Sequence, residues 1–209
     1  MRYPFVIGVG GYTSNVGKTT LMCELLREFP GWEAIKTTRG HYRSCGKDPQ
    51  ACCVSDLLGD EPLVHSGREK TYRVGKDTGR YWDAGASNVH WLIATDDQVE
   101  KGIKQALLRV KSAGVFVEGN SFSQFVDPNY MVLVKRSDSG KIKKSAKQIL
   151  CKASVIYLSD EIKNSNCEDQ SAASRFESAV EAPRTPVYTS RELPALISYL
   201  RMITSAVAV

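Results

Sequence analysis

Residues 11–20 read GYTSNVGKTT, a glycine-bounded segment that ends in Gly-Lys-Thr-Thr. Consecutive backbone N–H groups, the positive end of a following helix and a lysine ammonium make an anion site, and a polyphosphate is the anion they fit. In that reading Gly11, Ser14, Asn15, Val16 and Gly17 supply the loop backbone, and Gly17 permits close approach to phosphate. Lys18 reaches the β and γ phosphates, Thr19 offers its hydroxyl to Mg2+, and Thr20 lies near the α phosphate. The glycine spacing is one residue longer than in the common form G-x-x-x-x-G-K-[ST]. A glycine turn that happens to carry Lys and Thr is the plain alternative.

Other residues of suitable type lie further along. Glu118 closes the run VFVE and precedes Gly119. A carboxylate at the C-terminal end of a strand can orient a Mg2+ shell or an attacking water, and in an open α/β sheet that edge is where ligands bind. A surface or helix-capping carboxylate is the other reading. Asp77 and Thr78 lie in RVGKDTGRYWDAGAS, where oxygen side chains beside a lysine suit metal and phosphate contacts, or form an ordinary turn. Lys36 closes EAIKT and either counters phosphate or substrate charge or is simply solvated. Arg39 and Arg80 carry guanidinium forks that match phosphate geometry.

Three further groups are weaker signals. Cys45, Cys52 and Cys53, with His41 and His65, bring ligand types for zinc or an iron–sulfur cluster, but no C-x-x-C pair, which favours free thiols. Cys23 and Cys151 read as small packing residues and Cys167 as an exposed thiol. Trp32, Trp82 and Trp91 either stack on a base or pterin or serve packing. Asp160, after the apolar run VIYL, is the nearest match to an aspartate that reads guanine.

These residues need a scaffold. Apolar, β-branched runs alternate with helical patterns, which predicts an α/β P-loop NTPase architecture with a mostly parallel sheet flanked by helices. Strands are expected at 5–9, 33–37, 89–94, 115–118, 131–135 and 154–158 and near Val187, about six or seven in all. Helices are expected at 19–29, 97–112, 142–151 and 192–204, the first ended by Pro30 and Gly31. Residues 38–73 carry no clear period, so the expectation is one domain over 1–209 with an irregular Cys/His-containing insertion there. Lys and Arg number 28 against 23 for Asp and Glu, a net charge of +5, too mild for a nucleic-acid footprint. No apolar run approaches the roughly 20 residues of a membrane span and no signal-peptide pattern opens the chain, so a cytoplasmic protein is expected.

The long spacing of GYTSNVGKT resembles the loop of dethiobiotin synthetase, from the branch of phosphate-loop proteins that includes the nitrogenase iron protein and signal-recognition GTPases. A second resemblance is wider. AIKTTRGH (34–41), GKDTGRYWDAGAS (75–87) and VFVEGNS (115–121) are similar, in order and spacing, to the molybdopterin-guanine dinucleotide biosynthesis protein B family. It spans about residues 5–136, and both families carry V-E-G at the position of Glu118. That second family usually has a standard-length loop and a histidine-rich stretch after its second strand; here TTRGHYRSCGKDPQACC keeps only His41.

The resemblance implies GTP or ATP bound with Mg2+, the metal held by Thr19, Asp77 and Glu118, and slow hydrolysis carried by Lys18, Glu118 and Asp77. It also implies nucleotide contacts from Lys36 and Thr78, a homodimer, and an accessory role in molybdenum cofactor biosynthesis. Molybdopterin or a molybdenum cofactor guanylyltransferase is the partner so implied, with neither nucleic acid nor membrane. Two other readings stay open: a dethiobiotin synthetase-like ATP-dependent ligase or kinase, and a metal- or redox-sensing nucleotide-binding module built on the cysteine segment.

Overall fold

The first apolar run forms β1, Phe5–Gly11, and the helical pattern after the glycine loop forms α1, Lys18–Glu28. The computed structural model describes residues 4–40, 57–138, 140, 142–160 and 185–205. In chain order the remaining elements are β2 (Glu33–Arg39), β3 (Leu63–Ser66), α2 (Arg68–Thr71), α3 (Asp77–Asp83), β4 (Val89–Ala94), α4 (Val99–Leu108) and β5 (Gly114–Glu118). They are followed by β6 (Tyr130–Lys135), α5 (Lys144–Leu150), β7 (Val155–Leu158), β8 (Val187–Thr189) and α6 (Leu193–Ser205).

The strands form an eight-stranded sheet in the order β3-β4-β2-β5-β1-β6-β7-β8. Every pairing except β3 with β4 is parallel. β1 therefore lies at the interior of the sheet, with Val9 in register with Glu118 of β5 on one side and Val132 of β6 on the other. Side chains alternate between faces. Ile7 and Val9 join Leu21 and Leu25 of α1, Tyr81 of α3 and Leu196 and Leu200 of α6. Val6 joins Ile103 and Leu107 of α4 and Ile149 of α5 on the opposite face. This two-faced, mostly parallel α/β sheet has the architecture of a P-loop NTPase. Because the strands run parallel, Gly11, Arg39, Glu118, Lys135 and Leu158 all end at one edge.

Several boundaries differ from the sequence expectation. Residues 38–73 are not wholly irregular: β2 runs through Arg39, and β3 pairs antiparallel with β4 from Leu63↔Ile93 to Ser66↔His90, followed by α2. A four-residue edge strand is too short to display a period, so LVHS is invisible as a pattern. His41, Cys45, Cys52, Cys53 and Cys167 lie outside the described residues. The helix expected over 97–112 begins as a 3-10 turn, Asp96–Gln98, because Thr95 and Gln98 bond reciprocally as a capping box. Cys23 is buried in α1 as expected, but Cys151, read as a packing residue, is exposed at the C-terminal cap of α5. The tryptophans serve packing: Trp32 stacks among Phe29 and Phe116 at 5.0 and 4.8 Å, Trp82 donates to Thr71 Oγ1, and Trp91 donates to Thr38 Oγ1. No helix among the described residues is long and apolar enough to cross a membrane.

The opposite edge of the sheet holds a buried polar knot. Glu33, 3 % exposed, accepts the backbone N–H groups of Lys111 (2.7 Å) and Ser112 (2.8 Å) on Oε1, and its Oε2 lies 2.6 Å from His90 Nε2. Ser66 Oγ lies 2.8 Å from His90 Nδ1, so the knot joins β2, β3, β4 and the segment entering β5. Burial alone would raise the Glu33 carboxyl, but His90 and the two amides outweigh it and hold it below the usual carboxylate range. A carboxylate depressed in the folded state contributes stability above its unfolded pKa and loses that contribution as pH falls through its folded value. Below about pH 4.3, urea midpoints should therefore fall more steeply for the wild type than for Glu33→Gln; parallel acid limbs would contradict this.

Candidate functional site

Between β1 and α1 the chain makes a tight loop that uses two left-handed residues, Asn15 at φ 57° and Gly17 at φ 90°. Glycine tolerates that conformation without strain, and asparagine is among the few other residues that adopt it readily. Val16, 1 % exposed, plugs the loop into the core, and Ser159, just past β7, donates to its carbonyl at 2.6 Å. Tyr12 N–H donates to Val134 O at 2.8 Å, and Lys143 N–H donates to Tyr12 O at 3.1 Å. On the β5 side, Asn120 acts as a two-point clamp: Gly11 N–H donates to its Oδ1 (2.8 Å) and its Nδ2 donates back to Gly11 O (2.9 Å). The extra loop residue is thus absorbed by a backbone pinned from β5, β6 and β7.

Lys18 folds back over this loop. A Cβ placed on Gly11 would lie 2.8 Å from Lys18 Cδ and 2.9 Å from Nζ, so only glycine leaves room for that path. Burial lowers the Lys18 ammonium below the usual lysine value, against the pull of Glu118.

Facing Lys18 is Glu118, 2 % exposed. Lys36 Nζ donates to Glu118 Oε1 at 2.6 Å and pairs with Asp77 Oδ2 at 2.6 Å. Thr19 Oγ1 donates to Glu118 Oε2 at 3.2 Å, and the buried Tyr81 hydroxyl donates to the same oxygen. Burial alone would lower Lys36, but Glu118 and Asp77 reverse the effect and hold its ammonium above the usual value. Asp77 is likewise pushed up by burial and brought below its usual range by Lys36 and the Thr19 hydroxyl. Burial and the neighbouring Glu118 push the Tyr81 phenol well above its usual value, so it remains a neutral donor. Thr37 Oγ1 donates to Glu118 O at 2.7 Å, and the chain then turns at Gly119, φ 144°, where a Cβ would fall 1.9 Å from that hydroxyl.

A cavity of about 390 Å3 separates the two halves, with Ser14, Asn15, Gly17, Lys18, Thr19 and Thr20 on the loop side and Lys36, Asp77, Arg80 and Glu118 opposite. Beyond Lys18 and Gly11 a second cavity of about 160 Å3 runs between Thr37, Arg39, Ser121 and Lys143. A hydroxyl and two carboxylates at one end of a cavity are hard oxygen donors of the kind Mg2+ takes, and the loop amides with two ammonium groups suit a polyphosphate. Among the described residues no group of three or more His, Cys, Asp and Glu side chains is placed to hold a metal ion.

Of the residues singled out from sequence, the structure brings Ser14, Asn15, Gly17, Lys18, Thr19, Thr20, Lys36, Asp77, Arg80 and Glu118 around the larger cavity and sets Gly11 on the second. Thr78, buried on α3, and Val16, buried in the core, form no part of either cavity wall. Arg80 faces the cavity, whereas Arg39 pairs with Asp96 at 3.0 Å beside the second one. His65 packs its ring against Trp91, and Asp160 accepts the backbone N–H (2.9 Å) and hydroxyl (2.6 Å) of Ser137. Sequence reading missed Tyr81, Asn120, Ser159, Lys143 and Thr37. Only Tyr81 left a signal, since it falls four residues after Asp77 and so on the same helix face.

Compared with known proteins, the chain matches no protein-family model and no curated protein. The clamp itself is open to test. Asn120→Ala removes two bonds to Gly11 and should lower stability by about 1–3 kcal/mol in urea unfolding, with faster amide exchange across residues 11–17. Unchanged exchange in the loop would show that the clamp does not hold it.

Proposed function

We propose that this chain binds a purine nucleoside triphosphate, GTP or ATP, with Mg2+ in the larger cavity and hydrolyses it slowly. The observation that carries the reading is the convergence of Lys18, Thr19 and the loop backbone on one wall with Glu118 and Asp77 on the facing one. The loop amides and the Lys18 ammonium neutralise charge on the β and γ phosphates, and Lys36 and Arg80 add positive charge at the far wall. Thr19, Glu118 and Asp77 are the residues that would hold Mg2+. When bound there, the metal would supply charge neutralisation to the polyphosphate. Asp77, held below its ordinary range, is a weak base, and Glu118 is engaged by Lys36, Thr19 and Tyr81; neither readily takes a proton from water, which favours slow turnover.

An accessory role in molybdenum cofactor biosynthesis, with molybdopterin or a molybdenum cofactor guanylyltransferase as partner, is supported by the three motifs around Lys36, Asp77 and Glu118. The cytoplasmic setting and the homodimer belong to the same proposal. One observation favours a second reading, an ATP-dependent ligase or kinase: the cavity of about 160 Å3 on the other side of Lys18 leaves room for a small acceptor beside the terminal phosphate.

Calorimetry of Mg·GTP and Mg·ATP with wild type and Lys18→Ala tests the site. The variant should bind about a hundredfold more weakly, or not measurably, and equal affinities would remove the loop as the site. Turnover stimulated by diaminopelargonic acid but not by molybdopterin would select the ligase reading.

A further inference from the structure

The tightest arrangement of charge at the site is the ammonium of Lys36, 2.6 Å from Asp77 Oδ2 and 2.6 Å from Glu118 Oε1. It comes from a different element than either acid, β2 against α3 and β5, and is held there by the register Lys36↔Glu118 between neighbouring strands. A divalent cation on the same two carboxylates would sit at about 2.0–2.1 Å from their oxygens, in the space the ammonium already fills. Both cations cannot occupy it, because they would be in near contact inside a half-enclosed cavity of low effective dielectric.

The charge count points the same way. Glu118 and Asp77 bring two negative charges, Lys36 and Lys18 bring two positive ones, and Arg80 in the same wall adds a third. The cavity is therefore not negative, and nothing in it draws in a divalent cation alone. A triphosphate changes that balance, since its terminal oxygens offer Lys36 a second anionic partner in the same cavity. The long, flexible lysine stem allows the ammonium to move between the two.

We propose that Lys36 is the resident counter-cation of the Glu118–Asp77 pair, excluding a divalent cation from those carboxylates until a triphosphate draws the ammonium away. Metal then enters with the nucleotide and not before it. This rests on the nucleotide reading above for its second half only; the exclusion of the metal is a property of the nucleotide-free protein. Lys36 thereby sets the order of binding.

Mn2+, followed by the paramagnetic resonance signal of the free ion, is the probe. Without nucleotide, Lys36→Met should bind one Mn2+ at least tenfold more tightly than wild type. Lys36→Gln, which keeps a hydrogen-bond donor without the charge, should do the same and serves if Lys36→Met does not fold. Adding Glu118→Gln to either variant should abolish the gain. The proposal is overturned if wild type binds Mn2+ as tightly as the variants, or if neither variant binds it. Affinity for Mg·GTP and Mg·ATP is measured on the same wild-type sample. Absence of nucleotide binding would remove the nucleotide reading, while the Mn2+ contrast would still decide whether Lys36 holds the metal position.

Discussion

A carboxylate that is almost wholly buried governs the architecture of this molecule. Glu118 ends an interior strand, β5, whose other residues are apolar, and an unpaired charge there would be strongly unfavourable. Its carboxylate is compensated from three elements, by Lys36 from β2, Thr19 from α1 and Tyr81 from α3, while Thr37, also of β2, donates to its backbone carbonyl. These partners come from separate packing units, so satisfying one charge fixes the relative positions of two strands and two helices. Gly119 follows because Thr37 leaves no space for a side chain where the strand turns away.

The loop opposite depends on the same point. Thr19 sits in the first turn of α1, and its bond to Glu118 sets how that helix start faces β5. Asn120, two residues beyond Glu118, then clamps Gly11, and Ser159 and Lys143 secure the far side. The result is a backbone concavity held by hydrogen bonds from several sides, and the nucleotide reading proposed above depends on such preorganisation. Its electrostatics are poised too. The acid pair is neutralised internally by Lys36, while burial lowers the Lys18 ammonium below its usual value.

Local features of the chain are readable from its sequence, and pairings across it are not. β1, the glycine loop and α1 follow one another directly, so composition and period reveal them together. VFVE announces β5 because an apolar run closed by a single acid fits a buried strand that reaches a polar edge. β3 escapes notice because four residues at an edge, half exposed, carry no period. Asn120 escapes for a different reason: its role is to bond Gly11, 109 residues earlier, and nothing near Asn120 encodes that distance. Ser159 and Val16, 143 residues apart, and Tyr81 and Glu118, 37 apart, are of the same kind. Thr78 shows the converse, since adjacency to Asp77 suggests a shared role while the structure buries Thr78 away from the cavity wall.

The glycine-rich helix start, more than any single side chain, decides whether this is a nucleotide protein. A crystal structure of the chain with Mg2+ and a non-hydrolysable GTP or ATP analogue addresses it directly. The account predicts the β and γ phosphates on the amides of residues 14–19 with Lys18 against them and Lys36 moved off Glu118. Phosphates bound elsewhere, or a helix start left bare at saturating nucleotide, would contradict it.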